Sequence, residues 1–366
     1  MIAGNLPDII VLNTSMPVDS YIAKGLLANI YDFMDKDETI NRDDFLTNVF
    51  EAYEVGGKLY EVIPTFSINT LVGKTSQVGA DQGWTMDEFI EFVDSYPEAS
   101  VFGSRYDTKS SMLSNFISYN YRSFVDKETG KCSFNNDDFI KLLEFCNRFP
   151  KEYDYENEVY DDNYWNEYES RYRNGTALLE NAYISRFSRL REYEQGSFGE
   201  PITFKGFPGN ESGSVITSYT SIAITSKANN KEGAWEFVKY FYSEDYQDQY
   251  ATNQAYQFPI RISSLEKQAE AAKERPYWED ENGEKQYYDN NYWIGGESIN
   301  IGVNTDADNV RMIDLIRSAT VSGRYDQKVY DIVNEEAAAY FEGQKSAKEV
   351  ADIIQNRVSN YIAENR

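Results

Sequence analysis

The sequence predicts an α/β protein with a mainly parallel sheet, and three observations carry that prediction. Short apolar runs of strand length alternate with segments whose apolar residues recur at helical spacing. The run Asp8-Ile9-Ile10-Val11-Leu12 is continuous rather than alternating, as expected of a strand covered on both faces. No tandem repeat and no long linker divides the chain, so any two lobes must be joined by short crossings.

The elements follow in order. After the 8–12 strand, VIPTFSINTLVGKT from Val62 reads as extended chain. Thr85 and Glu88 form a capping box before a helix carrying Phe89, Ile90, Phe92 and Val93, which stops ahead of Pro97. From Asn136, Phe139, Leu142, Leu143 and Cys146 fall at i, i+3, i+4 and i+7, the stripe of an amphipathic helix. Thr176 to Glu180, Pro201 to Phe204 and Ser221 to Thr225 are strand-like. Ala234, Phe237, Val238 and Phe241 predict a further helix. The polar, Tyr-rich stretch from Glu274 to Asn291 reads as a surface loop or inserted excursion. Val329, Ile332, Val333, Ala337 and Tyr340 mark a helix closed by Gly343, and Ser346 with Glu349 caps the last one along Val350, Ile353, Ile354, Val358 and Tyr361.

Composition narrows the function classes. The chain has 30 Tyr, 21 Phe and 5 Trp but no His, so the usual general base near neutral pH and the commonest metal ligand are missing. Aromatic rings offer large rigid faces, and Tyr and Trp add a polar tip, which suits holding a molecule more than transforming it. A net charge of −26 argues against nucleic acid and anionic membrane as partners. No apolar run approaches the length of a bilayer span, and Met1-Ile2-Ala3-Gly4 is too short for a signal peptide. Cys146 lies on the apolar stripe of its helix and is expected buried and unpaired; a disulfide to Cys132 is the alternative.

Motifs for chemistry fail on inspection. Gly73-Lys74-Thr75 imitates the end of a phosphate-binding loop, but the glycine needed earlier in that motif is Ile68. Asp35, Asp37 and Asn41 resemble calcium ligands, yet Ile40 and Leu46 stand where the loop needs Gly and Glu. The adjacent acids Asp43-Asp44, Asp137-Asp138, Asp161-Asp162 and Glu335-Glu336 cannot face each other across a bound sugar as a glycosidase pair does. Two distant carboxylates converging in the fold remain open to a sequence reading.

Seven segments in a fixed order carry a resemblance: GNLPDIIVL (4–12), GGKLYEVIPTFSINTLVGKTSQVG (56–79), GWTMDEFIEFV (83–93), NGTALLENAYISRF (174–187), SIAITSKANNKEGAWEFVKYF (221–241), QFPIR (257–261) and the tail at 335–364. Together they resemble the family 1 extracellular solute-binding proteins of bacterial ABC importers. The resemblance implies a two-lobe, periplasmic-binding-protein-like α/β fold of type II, with lobe 1 at 1–67 and 219–264 and lobe 2 at 70–217 and 265–366. Hinge crossings are implied near 64–70 and 214–222. Lobe 1 of that family opens with a βαβ segment before the strand matched by PDIIVL, so lobe 1 is expected to be incomplete at its N-terminus, without signal or anchoring cysteine.

The implied function is capture of a sugar or oligosaccharide in the inter-lobe cleft, by hinge closure, for the membrane permease subunits of an ABC importer. The implied location is extracellular, lipid-anchored in a full-length form, with no cofactor, no metal and no catalysis. The ligand-binding candidates are Asn13 and Ser15 after the first strand, Phe66 and Ser67 in the first crossing, Tyr183 and Arg186 after the 176–180 run, Tyr219 in the return crossing, and Trp293 in a later loop. The alternatives are a secreted polysaccharide-active enzyme and a surface protein without ligand.

Overall fold

Strand β2, Thr65–Lys74, organises the molecule. The computed structural model describes residues 7–104, 106–154, 156, 161, 163–209, 213–252 and 255–366. In it β2 is buried along nearly its whole length and pairs antiparallel with β3 (Leu179–Ile184), β4 (Ile202–Phe204), β5 (Val215–Thr217) and β7 (Phe258–Pro259). β12 (Val321–Ser322) adds to β5 in parallel. A separate antiparallel pair joins β1 (Ile9–Leu12) to β6 (Ser221–Ile224).

The α/β class stands, while the expected parallel sheet does not. Among the described strand pairs only β5 with β12 runs parallel. The physical reason is that β2 crosses the molecule in one direction and the chain must return beside it, so its neighbours run opposite. The expected two-sided cover of the first strand also fails: Leu12 is buried, but Val11 is 61% exposed.

Side chains alternate across β2, as a strand requires. Phe66, Ile68 and Val72 enter one large apolar cluster with Val49, Phe50, Trp235, Tyr242, Phe258 and Leu315. Leu71 enters a second cluster, built by helices Met86–Asp94, Lys109–Phe124, Asp137–Cys146, Gln327–Phe341 and Ala347–Asn365. A third, small cluster holds Leu12, Val18, Leu27 and Ala223 beneath the N-terminal strand.

The predicted caps form as read: Thr85 with Glu88 and Ser346 with Glu349 each make both reciprocal bonds. Gly343 follows helix Gln327–Phe341 at φ +73°, a conformation that glycine adopts without strain. Cys146 is buried and free, and Cys132 is free beside Ser359.

Two readings need correction. Phe237 leaves the predicted stripe of helix Lys231–Val238 and is 58% exposed. Trp235 takes the inward position instead, stacked on Phe33 with its indole N–H donating to Asp37 over 2.8 Å. The 274–291 stretch, read as a surface loop or inserted excursion, is no plain loop: β8 (Tyr277–Glu279) and β9 (Lys285–Tyr287) form a hairpin within it, and β10 (Asn291–Ile294) with β11 (Glu297–Asn300) forms a second just after it. Their alternation is weak in the sequence because most of their residues are exposed or only partly covered, with Ile294 the buried exception in β10.

Candidate functional site

One face of the sheet gathers the polar and aromatic groups. The cross-strand pairs Leu71–Asn181 and Asn69–Tyr183 fall at alternate positions of β2 and β3 and so share that face. Asn69 also pairs with Val215, and its amide donates to the Thr217 hydroxyl at 2.8 Å. Two residues beyond Thr217, Tyr219 turns its ring to Tyr183, with centroids 5.9 Å apart and planes tilted by 50°.

The row of tyrosines extends both ways from this pair. Tyr119, on helix Lys109–Phe124, lies within electrostatic reach of Tyr219 and of Tyr325, and its ring stacks on Phe207 at 4.7 Å. In the other direction the Tyr183 hydroxyl donates to the Tyr256 carbonyl at 3.4 Å. Burial raises the pKa of Tyr119, Tyr219 and Tyr325, with neighbouring phenols adding to it. All three are therefore neutral near pH 7, offering a stacking face and a hydroxyl that both donates and accepts.

Two cavities flank the row. The first, of about 300 Å³, is lined by Asn181, Asn115, Phe207, Asp107, Arg171 and Glu180, among others. Asn115 and Tyr119 are one helical turn apart on the same helix face, which brings the cavity and the tyrosine row together. Burial pushes Asp107 up to about 6, against a Ser104 hydrogen bond that lowers it. Burial likewise pushes Glu180 up to about 7, opposed by Arg171, Arg189 and a Tyr193 hydrogen bond. The second cavity, of about 290 Å³, is bordered by Arg186, Tyr256, Tyr288 and Asn290. Both sit at the small end of the range typical for ligand pockets.

The residues singled out by sequence fall into three groups. Tyr183, Tyr219 and Arg186 lie together around the row and the second cavity; Arg186 is held by Glu192 at 2.8 Å. Asn13 and Ser15 sit just past β1, where the Asn13 carboxamide oxygen accepts from the Ser15 amide and hydroxyl at 3.1 Å each. Their loop meets the row at its far end, since the Tyr325 amide donates to the Thr14 carbonyl at 3.0 Å.

Phe66 and Ser67 are fully buried: Phe66 packs on Phe258 at 5.5 Å, and the Ser67 hydroxyl donates to the Thr217 carbonyl. Trp293 is 67% exposed on the β10–β11 hairpin, and no described ring contact joins it to Tyr183. Nothing in a linear reading marks Tyr119, Tyr256 or Tyr325. The i, i+4 spacing of Asn115 and Tyr119 is the one usable signal, and it needs the facing strand to give it meaning.

The rejected motifs have structural explanations. Gly73 lies inside β2, where an added Cβ would come within 2.7 Å of Val78 and 2.9 Å of Leu179; close packing requires it, not a phosphate. Lys74 is paired with Glu200 at 2.8 Å. Asp37 accepts from Trp235 and Lys239 as a packing anchor. Among the described residues no group of three His, Cys, Asp or Glu side chains is arranged to hold a metal ion.

An α/β protein in which Tyr183 of the sheet joins tyrosines from a helix and adjoining loops beside two ligand-sized cavities is built for binding. The chain belongs to the bacterial extracellular solute-binding protein family, whose model matches residues 1–280. That family binds solutes and is not enzymatic.

Solved structures agree on the periplasmic-binding-protein-like fold. An ABC substrate-binding protein of Listeria monocytogenes in complex with cycloalternan superposes with a TM-score of 0.55 at 12% identity, covering 98% of this chain and 86% of that one. A Thermotoga lettingae ABC transporter solute-binding protein bound with α-D-tagatose gives 0.55 at 14%, with coverages of 98% and 86%. The sugar-binding protein MalE of Xanthomonas citri gives 0.54 at 14%, with 98% and 84%. A search of curated proteins finds no match. Among the described residues no helix is long and apolar enough to cross a membrane.

Proposed function

We propose that this protein captures a sugar or oligosaccharide for an ABC importer and delivers it to membrane permease subunits. The reading rests above all on the tyrosine row from Tyr325 through Tyr119, Tyr219 and Tyr183 to Tyr256. Neutral phenols suit a neutral ligand with apolar ring faces and many hydroxyls, and Asn115 and Asn181 supply amides beside them. Family membership and the sugars named for the structural neighbours point the same way.

In this reading the two lobes comprise 1–67 with 219–264 and 70–217 with 265–366. β2 and the β5–β6 segment are the crossings between them, and ligand closes the lobes by bridging both. Asn13 and Ser15 contact ligand from lobe 1, and Tyr183, Arg186 and Tyr219 from the crossings and lobe 2. Phe66 and Ser67 support the crossing from beneath, and Trp293 belongs to a peripheral surface. An extracellular location accords with the family, and lipid anchoring of a full-length form is part of this proposal.

The test is a thermal-shift and calorimetric screen of mono- and oligosaccharides against peptides and polyamines. A ligand at a hundred times its Kd adds about 2.7 kcal/mol of stability, well within detection. Shifts with peptides or polyamines but with no glycan would overturn the sugar reading.

A further inference from the structure

The loop bearing Asn13 and Ser15 is fastened to the rest of the molecule by few bonds, and one of them is a two-pronged, largely buried ion pair. Asp19, on the short helix Val18–Ala23, receives two hydrogen bonds from Arg122, at 2.6 and 3.1 Å. The Arg122 side chain is 8% exposed and that of Asp19 is 25% exposed, so the pair is mostly removed from water. Beside it, the Tyr325 and Gln327 amides donate to the Thr14 and Ser15 carbonyls at 3.0 and 3.1 Å. The Ser20 hydroxyl and Lys24 add bonds to Asn365.

Arg122 belongs to helix Lys109–Phe124, the same helix that carries Tyr119 and Asn115. The pair thus ties the segment following Asn13 and Ser15 to the element that bears part of the tyrosine row. If it opens, Arg122 is left as a nearly buried cation without its carboxylate, which is costly, so the ion pair outweighs the more exposed Lys24 bond in holding the loop.

We propose that Arg122 and Asp19 form a clasp that positions the Asn13–Ser15 loop against Tyr325 and so sets the affinity of the ligand site. Both are positioning residues: neither touches ligand. The loop backbone is seated on the Tyr325 and Gln327 amides only while the clasp is closed. The affinity part of this inference rests on the ligand reading given above; the loop-seating part does not.

The experiment uses hydrogen exchange, read by mass spectrometry on peptides covering Tyr325 to Gln327, with the full chain and no ligand. Asp19→Asn is expected to speed exchange there by about tenfold or more, while Asp19→Glu, which keeps the charge, retains protection. Amides of helix Ile262–Ala271, which the clasp does not touch, remain unchanged in both, which reports an intact fold. If Asp19→Asn does not fold, Arg122→Lys is read the same way, since it keeps the charge but loses the two-pronged geometry. Unchanged exchange at Tyr325 and Gln327 overturns the clasp.

The affinity arm uses neutral α-1,4- and β-1,4-linked oligosaccharides. Asp19→Asn should weaken binding about tenfold and Asp19→Glu should restore it, by linkage to the seated loop. Faster exchange with unchanged affinity overturns the positioning role. If the unaltered protein binds neither these sugars nor any glycan of the mono- and oligosaccharide screen, the ligand reading fails on its own, and the exchange arm still decides the clasp.

Discussion

Glu61 and Arg324 meet as a two-pronged ion pair, with oxygen–nitrogen distances of 2.5 and 2.6 Å and side chains only 2% and 4% exposed. Glu61 precedes β2 and Arg324 follows β12, so the pair joins two segments far apart in sequence. The Ser221 hydroxyl donates to the same carboxylate, and the Arg324 guanidinium lies 5.3 Å from the Tyr53 ring centre. Removing one partner leaves the other charge buried alone. Glu61→Gln or Arg324→Met is therefore expected to cost about 3–5 kcal/mol in urea unfolding, and the double change to apolar residues to cost less than either. Single changes within 1 kcal/mol of the parent, on the order of an exposed pair, would show that water reaches the pair.

The tyrosine row predicts a different pattern. Tyr219 is 49% exposed, so Tyr219→Ala should leave stability nearly unchanged while weakening oligosaccharide binding about tenfold, as does Tyr183→Ala. Phe66→Ala should do the reverse. Its ring is fully buried against Phe258, and truncation there costs about 3–5 kcal/mol. Paired unfolding and calorimetric titrations separate the two behaviours; equal losses of stability at Tyr219 and Phe66 would contradict the assignment.

Glu180 predicts a pH dependence. Burial raises its folded pKa from 4.5 to about 7, with Arg171, Arg189 and Tyr193 opposing. Between those values the folded state holds a proton that the unfolded chain has released, so stability falls as pH rises through the window. Below it both states are protonated and the effect vanishes. Glu180→Gln should thus raise stability on the order of 1–3 kcal/mol at about pH 8 and change little at about pH 4. A gain of the same size at both pH values would exclude ionisation as the cause.

The cysteines are distinguishable by reagent. Burial pushes the Cys146 thiol well up and shields it, whereas Cys132 is half-buried beside Ser359. A thiol-specific reagent should modify Cys132 in the native protein and reach Cys146 only after unfolding. One equivalent before denaturant and two after is the expected count; none at either stage would indicate a disulfide.

Local rules carried far along this chain. The boxes at Thr85–Glu88 and Ser346–Glu349 are legible because a cap needs only residues three apart, and the apolar stripe ending at Cys146 because a helix repeats within a few residues. The extended run through Pro64 and Lys74 is legible for the same reason. Strand direction is not, because pairing partners such as Ile9 and Ile224 lie far apart and no local pattern encodes their relative sense. The hairpins after Arg275 escape notice because few of their side chains are buried, Ile294 and the partly covered Tyr292 among them, too few to print an alternating pattern.

Sequence by itself determined the class of elements, the absence of any histidine-based chemistry and, through seven ordered segments, the family. It also picked out Tyr183, Tyr219 and Arg186, which the fold does bring together. Only tertiary structure decided which aromatics face a common surface. It set Tyr219 and Tyr325 within electrostatic reach of Tyr119, and it withdrew Phe66 into the core. The reason is that a ring's burial depends on what packs over it, and for these residues the covering elements come from distant parts of the chain.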